Sequence, residues 1–294
     1  MIDQKRGSHH RVSVVIPAKD EATTIARVID AILPLTVGPD AVVDELVVID
    51  SDSSDDTAAV ARAAGARVHA ASQIRSDLGP GTGKGEAIWK SMFVTSGDLM
   101  VFLDADVTNV APAFVTGLIA PLAEDDRIVL TKAYYDRDLA DDHDVRRAQG
   151  GRVTELLARP LITLWWPDLT GIAQPLAGEW AIRRSVLESV ELPCGYGVEM
   201  SVLIDTYLRH GIEAIAQVDL GHREHRHQDL HALSAMSVEI LAAVAERLPG
   251  GSTQLPQSIA HPVRAGDGLD WATRVVNVAQ RPPVVTVGSA PTTR

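Results

Sequence analysis

Two aspartates, Asp104 and Asp106, close an apolar run in the stretch Leu99-Met100-Val101-Phe102-Leu103-Asp104-Ala105-Asp106. On a strand, side chains at i and i+2 leave from the same face, so a buried strand of this kind delivers paired carboxylates to its carboxyl end. Such a pair suits a hard divalent cation. A cation held there can grip a diphosphate and neutralise it as it departs. An acidic turn after an ordinary strand has the same appearance, because Asp is common in turns.

A second candidate is the glycine-rich stretch Gly79-Pro80-Gly81-Thr82-Gly83-Lys84-Gly85-Glu86. It is not a Walker A loop, since the place of that motif's first glycine holds Leu78 and the place of its Ser or Thr holds Gly85. Glycine N–H groups, together with Lys84 beside the positive end of a helix dipole, still suit a diphosphate. A surface loop with an incidental lysine is the plainer alternative. The stretch Gly221-His222-Arg223-Glu224-His225-Arg226-His227 leaves three uses open. His222, His225 and His227 could form a zinc site, though without cysteine support. One histidine could instead share the cation of Asp106 and leave the arginines for anions, or the whole stretch could be a solvated turn. Cys194, between Pro193 and Gly195, reads as a structural thiol. As the single cysteine it excludes an internal disulfide and a thiolate zinc cage, and it fits a reducing cytoplasm.

The elements that must position these groups alternate between strand and helix in the first half, the pattern of a parallel sheet covered on both faces. Strands are expected at 12–16, ended by Pro17, at 46–49, at 67–70 and up to Asp104. Helices are expected from Asp20-Glu21-Ala22-Thr23 through Ile32, up to Ala64, and over 84–94. Ligands of such sheets bind beyond the carboxyl ends of the strands, where Pro17, Asp50, Asp52, Asp104 and Asp106 all fall. The second half is less regular, with helices expected at 154–158, 200–210 and 230–247 and a strand at 214–218.

With 294 residues, 46% hydrophobic and 22% charged, the chain can form one large α/β domain with a substantial core. A formal charge of −12 makes nucleic acid and anionic membranes poor partners. No apolar run reaches the roughly 18–20 residues needed to span a bilayer, and the most hydrophobic stretch, 161–166, is bracketed by Pro160 and Pro167 and reads as a packed helix end. Residues 1–11 form a flexible N-terminus with no signal-peptide core. Residues 12–110 and 111–248 form the two halves of the domain. The tail, 249–294, is rich in Gly, Ser, Pro, Thr and Gln and is expected to be poorly ordered or locally docked through Trp271 and Pro282-Pro283.

In chain order, Val14-Val15-Ile16-Pro17-Ala18, Ile49-Asp50-Ser51, Gly83-Lys84-Gly85-Glu86-Ala87, Asp104-Ala105-Asp106, Gly150-Gly151-Arg152-Val153-Thr154-Glu155-Leu156, Gln174-Pro175-Leu176, Gly195-Tyr196-Gly197-Val198-Glu199 and Ala216-Gln217-Val218 resemble glucosyl-3-phosphoglycerate synthases of actinobacteria. These are retaining glycosyltransferases of GT-A fold. The resemblance, running from about Val12 to Val238, implies a Rossmann-like nucleotide-sugar-binding half with a mainly parallel sheet and an acceptor-binding C-terminal part. It implies a nucleoside pocket lined by Pro17, Ala18, Glu21 and Ser51, with Lys84, Asp104, Ala105, Leu176 and Tyr196 completing the donor site. Asp106 and His225 would hold Mg2+ or Mn2+ with the diphosphate. Glu199 would sit at the reacting centre with Arg152, and Arg152, Thr154 and the position of His227 would bind the anionic acceptor. A cytoplasmic homodimer is also implied.

Four positions depart from that family. Asp52 replaces a glycine of the nucleoside pocket, and a carboxylate can accept two donors from guanine but only one from uracil. Ala177 replaces a serine near the donor sugar, His227 an asparagine at the acceptor, and His222 an apolar residue. Together they favour a GDP-sugar donor and a small carboxylate-bearing acceptor that is anionic or zwitterionic, as in the lincosamide-pathway S-glycosyltransferase that joins a GDP-octose to ergothioneine, whose thiol ionises readily. The alternative is the standard pair, UDP-glucose and 3-phosphoglycerate. From other classes, a sugar nucleotidyltransferase would carry its glycine-rich loop where this chain has Pro17-Ala18-Lys19-Asp20, and a noncatalytic nucleotide-sugar sensor would have no use for a full catalytic set.

Overall fold

Runs of Val, Ile and Leu without alternating polar residues build strands buried on both faces, and a sheet of such strands needs helices on each side. The computed structural model describes residues 10–39, 41–137, 151–223, 229–251, 255–265 and 268–288. Strands β1 (Val12–Ala18), β2 (Glu45–Asp50), β3 (Arg67–Ala70), β4 (Leu99–Phe102), β5 (Leu130–Arg137), β6 (Trp180–Arg183) and β8 (Ile215–Arg223) form one sheet, with β7 (Leu192–Pro193) apart from it. The order is β3-β2-β1-β4-β6-β5-β8, and β6 alone runs against its neighbours among these seven.

Helices α1 (Ile25–Ile32), α2 (Thr57–Ala63), α3 (Lys84–Ser91), α4 (Pro112–Glu124), α5 (Arg159–Trp165), α6 (Arg184–Leu187), α7 (Val198–His210) and α8 (Leu230–Ala245) cover the sheet. Alternate side chains of β1 enter different cores. Val14 and Ile16 pack with Ile25, Val28, Ile29 and Ile32 of α1 and Phe114 and Leu118 of α4. Val15 packs with Ile88 and Trp89 of α3 and with α7 and α8. This is the GT-A arrangement, a mainly parallel sheet between two helical layers. No described helix is long and apolar enough to cross a membrane.

Several expected boundaries move. Helix α1 begins at Ile25 rather than at Asp20, because Asp20 adopts a left-handed φ of 55° and its N–H donates to the Ser53 hydroxyl at 2.9 Å. Helix α3 stops at Ser91 and β4 at Phe102, which leaves Asp104 and Asp106 on the loop beyond the strand. The 154–158 turn is a π-helix leading into α5. The packed end read at 161–166 is mixed: Leu161, Ile162 and Trp166 are buried, whereas Leu164 is 70% exposed.

The tail differs most. A hairpin of β9 (Ser258–Ala265) and β10 (Gly268–Val275) is followed by β11 (Gln280–Arg281), which pairs with β7. Trp271 does not dock and is 62% exposed, while the Pro282 carbonyl accepts a hydrogen bond from the Trp89 indole at 2.8 Å. Long-range hydrogen bonds order this segment despite its composition.

Candidate functional site

The carboxyl ends of β1 and β2 are braced against each other. The Ser51 N–H donates to the Ala18 carbonyl at 2.9 Å. Pro17 and Ala18 lie opposite Ile49 and Asp50. The Lys19 ammonium donates to the carbonyls of Ser51 and Asp52 at 3.1 and 2.5 Å. The Glu21 N–H donates to the Thr57 hydroxyl at 2.7 Å, and the Glu21 carboxylate accepts from the Thr24 hydroxyl at 2.8 Å. Asp52 is exposed with a left-handed φ of 57°, a conformation that Asp tolerates better than most residues, and one carboxylate oxygen accepts the Ser72 hydroxyl at 2.6 Å. Pro17, Ala18, Glu21, Ser51 and Asp52 therefore share one rim of the sheet.

At the centre, Lys84 opens α3, and its ammonium lies 2.5 Å from Asp104 Oδ1 and 2.6 Å from Glu199 Oε1. Burial alone would lower this lysine, but the facing Asp104 and Glu199 carboxylates outweigh it and hold Lys84 well above its ordinary range. Glu199 sits in the first turn of α7, where the helix dipole favours a negative charge, and is 5% exposed. Asp104 also lies against the backbone of Gly178; a β-carbon there would collide with its carboxylate. Ala105 is buried, Asp106 and Leu176 are half-buried, and Tyr196 is 43% exposed.

The glycine-rich loop works differently from expectation. The N–H groups of Gly85 and Glu86 donate to the carbonyls of Gly195 and Cys194 at 3.3 and 2.9 Å, so the first turn of α3 is occupied by protein. A β-carbon at Gly85 would strike the Pro193 carbonyl. The loop thus offers the Lys84 side chain, while these two N–H groups serve to join it to the loop that leads into α7 and Glu199. Cys194 is buried, and burial pushes its thiol up to about 12, as a structural cysteine requires.

Among the buried ions not singled out in the sequence are Lys132, Glu179 and Glu239. Lys132 on β5 donates to the Ala177 carbonyl at 2.7 Å and is 1% exposed. Burial pulls it down to about 8, with Glu199 opposing and Lys84 reinforcing the shift. Glu179, fully buried, adds a further opposing charge. Glu239 on α8 accepts from the N–H of Tyr196 at 2.8 Å and of Asn277 at 2.7 Å. An isolated Lys or Glu in a strand or helix carries no local mark of such burial; only a charged residue within an apolar periodicity, as at Lys132, hints at it.

Of the residues expected at the acceptor, Thr154 is buried in the π-turn and Arg152 is exposed just before it. Arg159 ties this stretch to the loop before Leu176 by donating to the Ala173 carbonyl at 2.6 Å. His225 and His227 lie outside the described residues. Among those described, no cluster of three His, Cys, Asp or Glu side chains is arranged to hold a metal. The oxygen donors Asp104 and Asp106, at the end of β4, fit a hard divalent cation in chemistry. His222 is exposed, and its carbonyl accepts from Asn109 at 2.5 Å. Ala177 is 1% exposed, its side chain part of the core that includes α1 and α4, while its carbonyl accepts from Lys132 and the next residue, Gly178, lies against Asp104.

The class of protein follows from comparison of this arrangement with known proteins. The chain belongs to glycosyl transferase family 2, whose family profile matches residues 13–190. Its activity is glycosyl transfer. It is 45% identical over 278 residues to the glucosyl-3-phosphoglycerate synthase of Mycolicibacterium paratuberculosis, a match covering 93% of this chain and 83% of that one. The crystal structure of glucosyl-3-phosphoglycerate synthase from Mycobacterium tuberculosis in complex with Mn2+, UDP and glucosyl-3-phosphoglycerate superposes with a TM-score of 0.86 at 41% identity, over 97% of this chain and 95% of that one. The same enzyme in complex with Mg2+ and UDP also gives 0.86. The family resemblance read from the motifs agrees with these relatives. Their ligands include UDP, whereas the departure at Asp52 leads to the expectation of a GDP-sugar.

Proposed function

We propose that this glycosyltransferase moves glucose from UDP-glucose to 3-phosphoglycerate with retention, rather than a GDP-octose to ergothioneine. The observation that carries the reading is the Asp104–Lys84–Glu199 centre at the strand ends, on a fold matched nearly end to end by an enzyme that binds UDP and glucosyl-3-phosphoglycerate. Pro17, Ala18, Glu21 and Ser51 would enclose the nucleoside, and Lys84, Ala105, Leu176 and Tyr196 the diphosphate and sugar. Mg2+ or Mn2+, held by Asp106 and His225, would supply charge neutralisation for the departing diphosphate. Lys84 brings a second positive charge to that end of the donor, while Glu199 faces the developing charge at the sugar. Arg152 and Thr154, with His227, would grip the acceptor's carboxylate and phosphate, a guanidinium being suited to bidentate capture. The enzyme works as a cytoplasmic homodimer in this reading.

A GDP-sugar donor is retained as a second reading on one observation, the exposed Asp52 carboxylate held at the nucleoside rim by Ser72. Calorimetric titration of UDP and GDP with Mg2+ into wild type and Asp52→Gly separates the two. The expected result is tighter UDP binding and release of UDP when UDP-glucose and 3-phosphoglycerate are mixed with the enzyme. Tight GDP binding that Asp52→Gly weakens, with no turnover of the UDP-glucose pair, would replace the first reading by the second.

A further inference from the structure

Residues 276–282 pass between the glycine-rich loop and the loop before α7, and they hold both. The Arg281 guanidinium donates to Glu86 Oε2 at 2.7 Å and Oε1 at 2.8 Å, to the Leu78 carbonyl at 2.8 Å and to the Gly79 carbonyl at 3.2 Å. Glu86 is 1% exposed, so this is a desolvated pair in the first turn of the helix that Lys84 opens. Asn277 donates its side-chain amide to the Thr82 carbonyl. On the other side, the Asn277 N–H shares the Glu239 carboxylate with the Tyr196 N–H, and the Cys194 N–H donates to the Ala279 carbonyl at 2.8 Å. The fit is close enough that a β-carbon at Gly81 would collide with Glu86, and one at Gly195 with Glu239.

The loop these contacts hold is poor at ordering itself. Gly79 and Gly83 both take positive φ, at 78° and 107°, and a glycine-rich segment loses more conformational entropy on ordering than any other. The carbonyls at Leu78, Gly79 and Thr82 all accept from Arg281 or Asn277. We propose that residues 276–282 are a clasp that fixes the glycine-rich loop and Lys84 for binding of the donor diphosphate, with Arg281 and Asn277 as positioning residues. The proposal rests on the reading of Lys84 as a donor-binding group. The clasp supplies preorganisation: the entropic cost of ordering the loop is met at folding, so donor binding does not have to meet it.

The test uses the full chain carrying Arg281→Ala, Arg281→Lys or Asn277→Ala, with hydrogen exchange of the 78–86 segment and calorimetric titration of UDP with Mn2+ well below the melting temperature. Faster exchange confined to 78–86 is expected in all three. UDP affinity should fall about tenfold in Arg281→Ala, with smaller losses in Asn277→Ala and in Arg281→Lys, which keeps the charge but not the fork. A purely structural role lowers melting temperature without moving UDP affinity. Unchanged exchange or unchanged affinity in Asn277→Ala and Arg281→Lys overturns the proposal, and these two remain informative if Arg281→Ala does not fold. Lys84→Ala is run beside them. If it binds UDP like wild type, the reading of Lys84 falls and the clasp's role in donor binding falls with it. If it binds weakly while the clasp variants bind normally, the clasp alone is refuted.

Discussion

Replacing Lys84 by methionine keeps the length of the side chain and removes the ammonium between Asp104 and Glu199. Both carboxylates contact that one nitrogen, so their near oxygens are at most roughly 5 Å apart. Two unit charges at that distance repel by about 3 kcal/mol at an effective dielectric of about 20. The repulsion corresponds to about 2 pK units, enough for the pair to hold one proton near neutral pH. A carboxyl raised above its unfolded value binds more protons when folded, so the stability of Lys84→Met should decline as pH rises from 5.5 to 8 and recover on acidification. At pH 8 its melting temperature should lie about 5–10 °C below wild type, and the deficit should shrink markedly at pH 5.5. Scanning calorimetry at the two pH values measures this directly. An equal deficit at both, or a variant that melts like wild type, would refute the electrostatic account of the centre.

Two further outcomes follow from the same site. Glu199→Gln removes the charge proposed to face the sugar but keeps its shape, so turnover should fall by about a hundredfold or more while UDP affinity stays within about threefold; an unchanged rate removes Glu199 from the chemistry. Lys132 is depressed in the folded protein to about 8. Between that value and its unfolded pKa the unfolded chain binds more protons, so wild type should gain about 2 kcal/mol on Lys132→Met as pH climbs from 8 to 10. Urea unfolding across that range checks it, and a constant difference would contradict the burial of a charged lysine.

Much of this protein was legible without coordinates. Apolar runs before Pro17, Asp50 and Asp104 announce β1, β2 and β4, although β1 continues through Pro17 to Ala18, because β-propensity and turn chemistry are local properties. The same runs place Asp104 and Asp106 beyond the carboxyl end of an interior strand, the side on which sheets of this kind take their ligands. Ordered motifs then supply Lys84 and Glu199 as site residues. What a sequence cannot announce is which distant charges become neighbours. Lys84 meets Glu199 only because α3 and α7 both start where residues 83–86 and 194–195 interlock, and Lys132 and Glu239 are buried by strands and helices far from them in sequence. Ala177 stands out in the sequence as a departure from the family's serine, but that its methyl is buried with the core of α1 and α4 is visible only in the fold. The segment 276–282 lacks any period, and its order comes from hydrogen bonds to residues almost two hundred positions away. Local patterns set the elements and the chemistry available; closure of the chain decides which charges face each other and which loop is held still, since those energies exist only between groups that the completed fold brings together and desolvates.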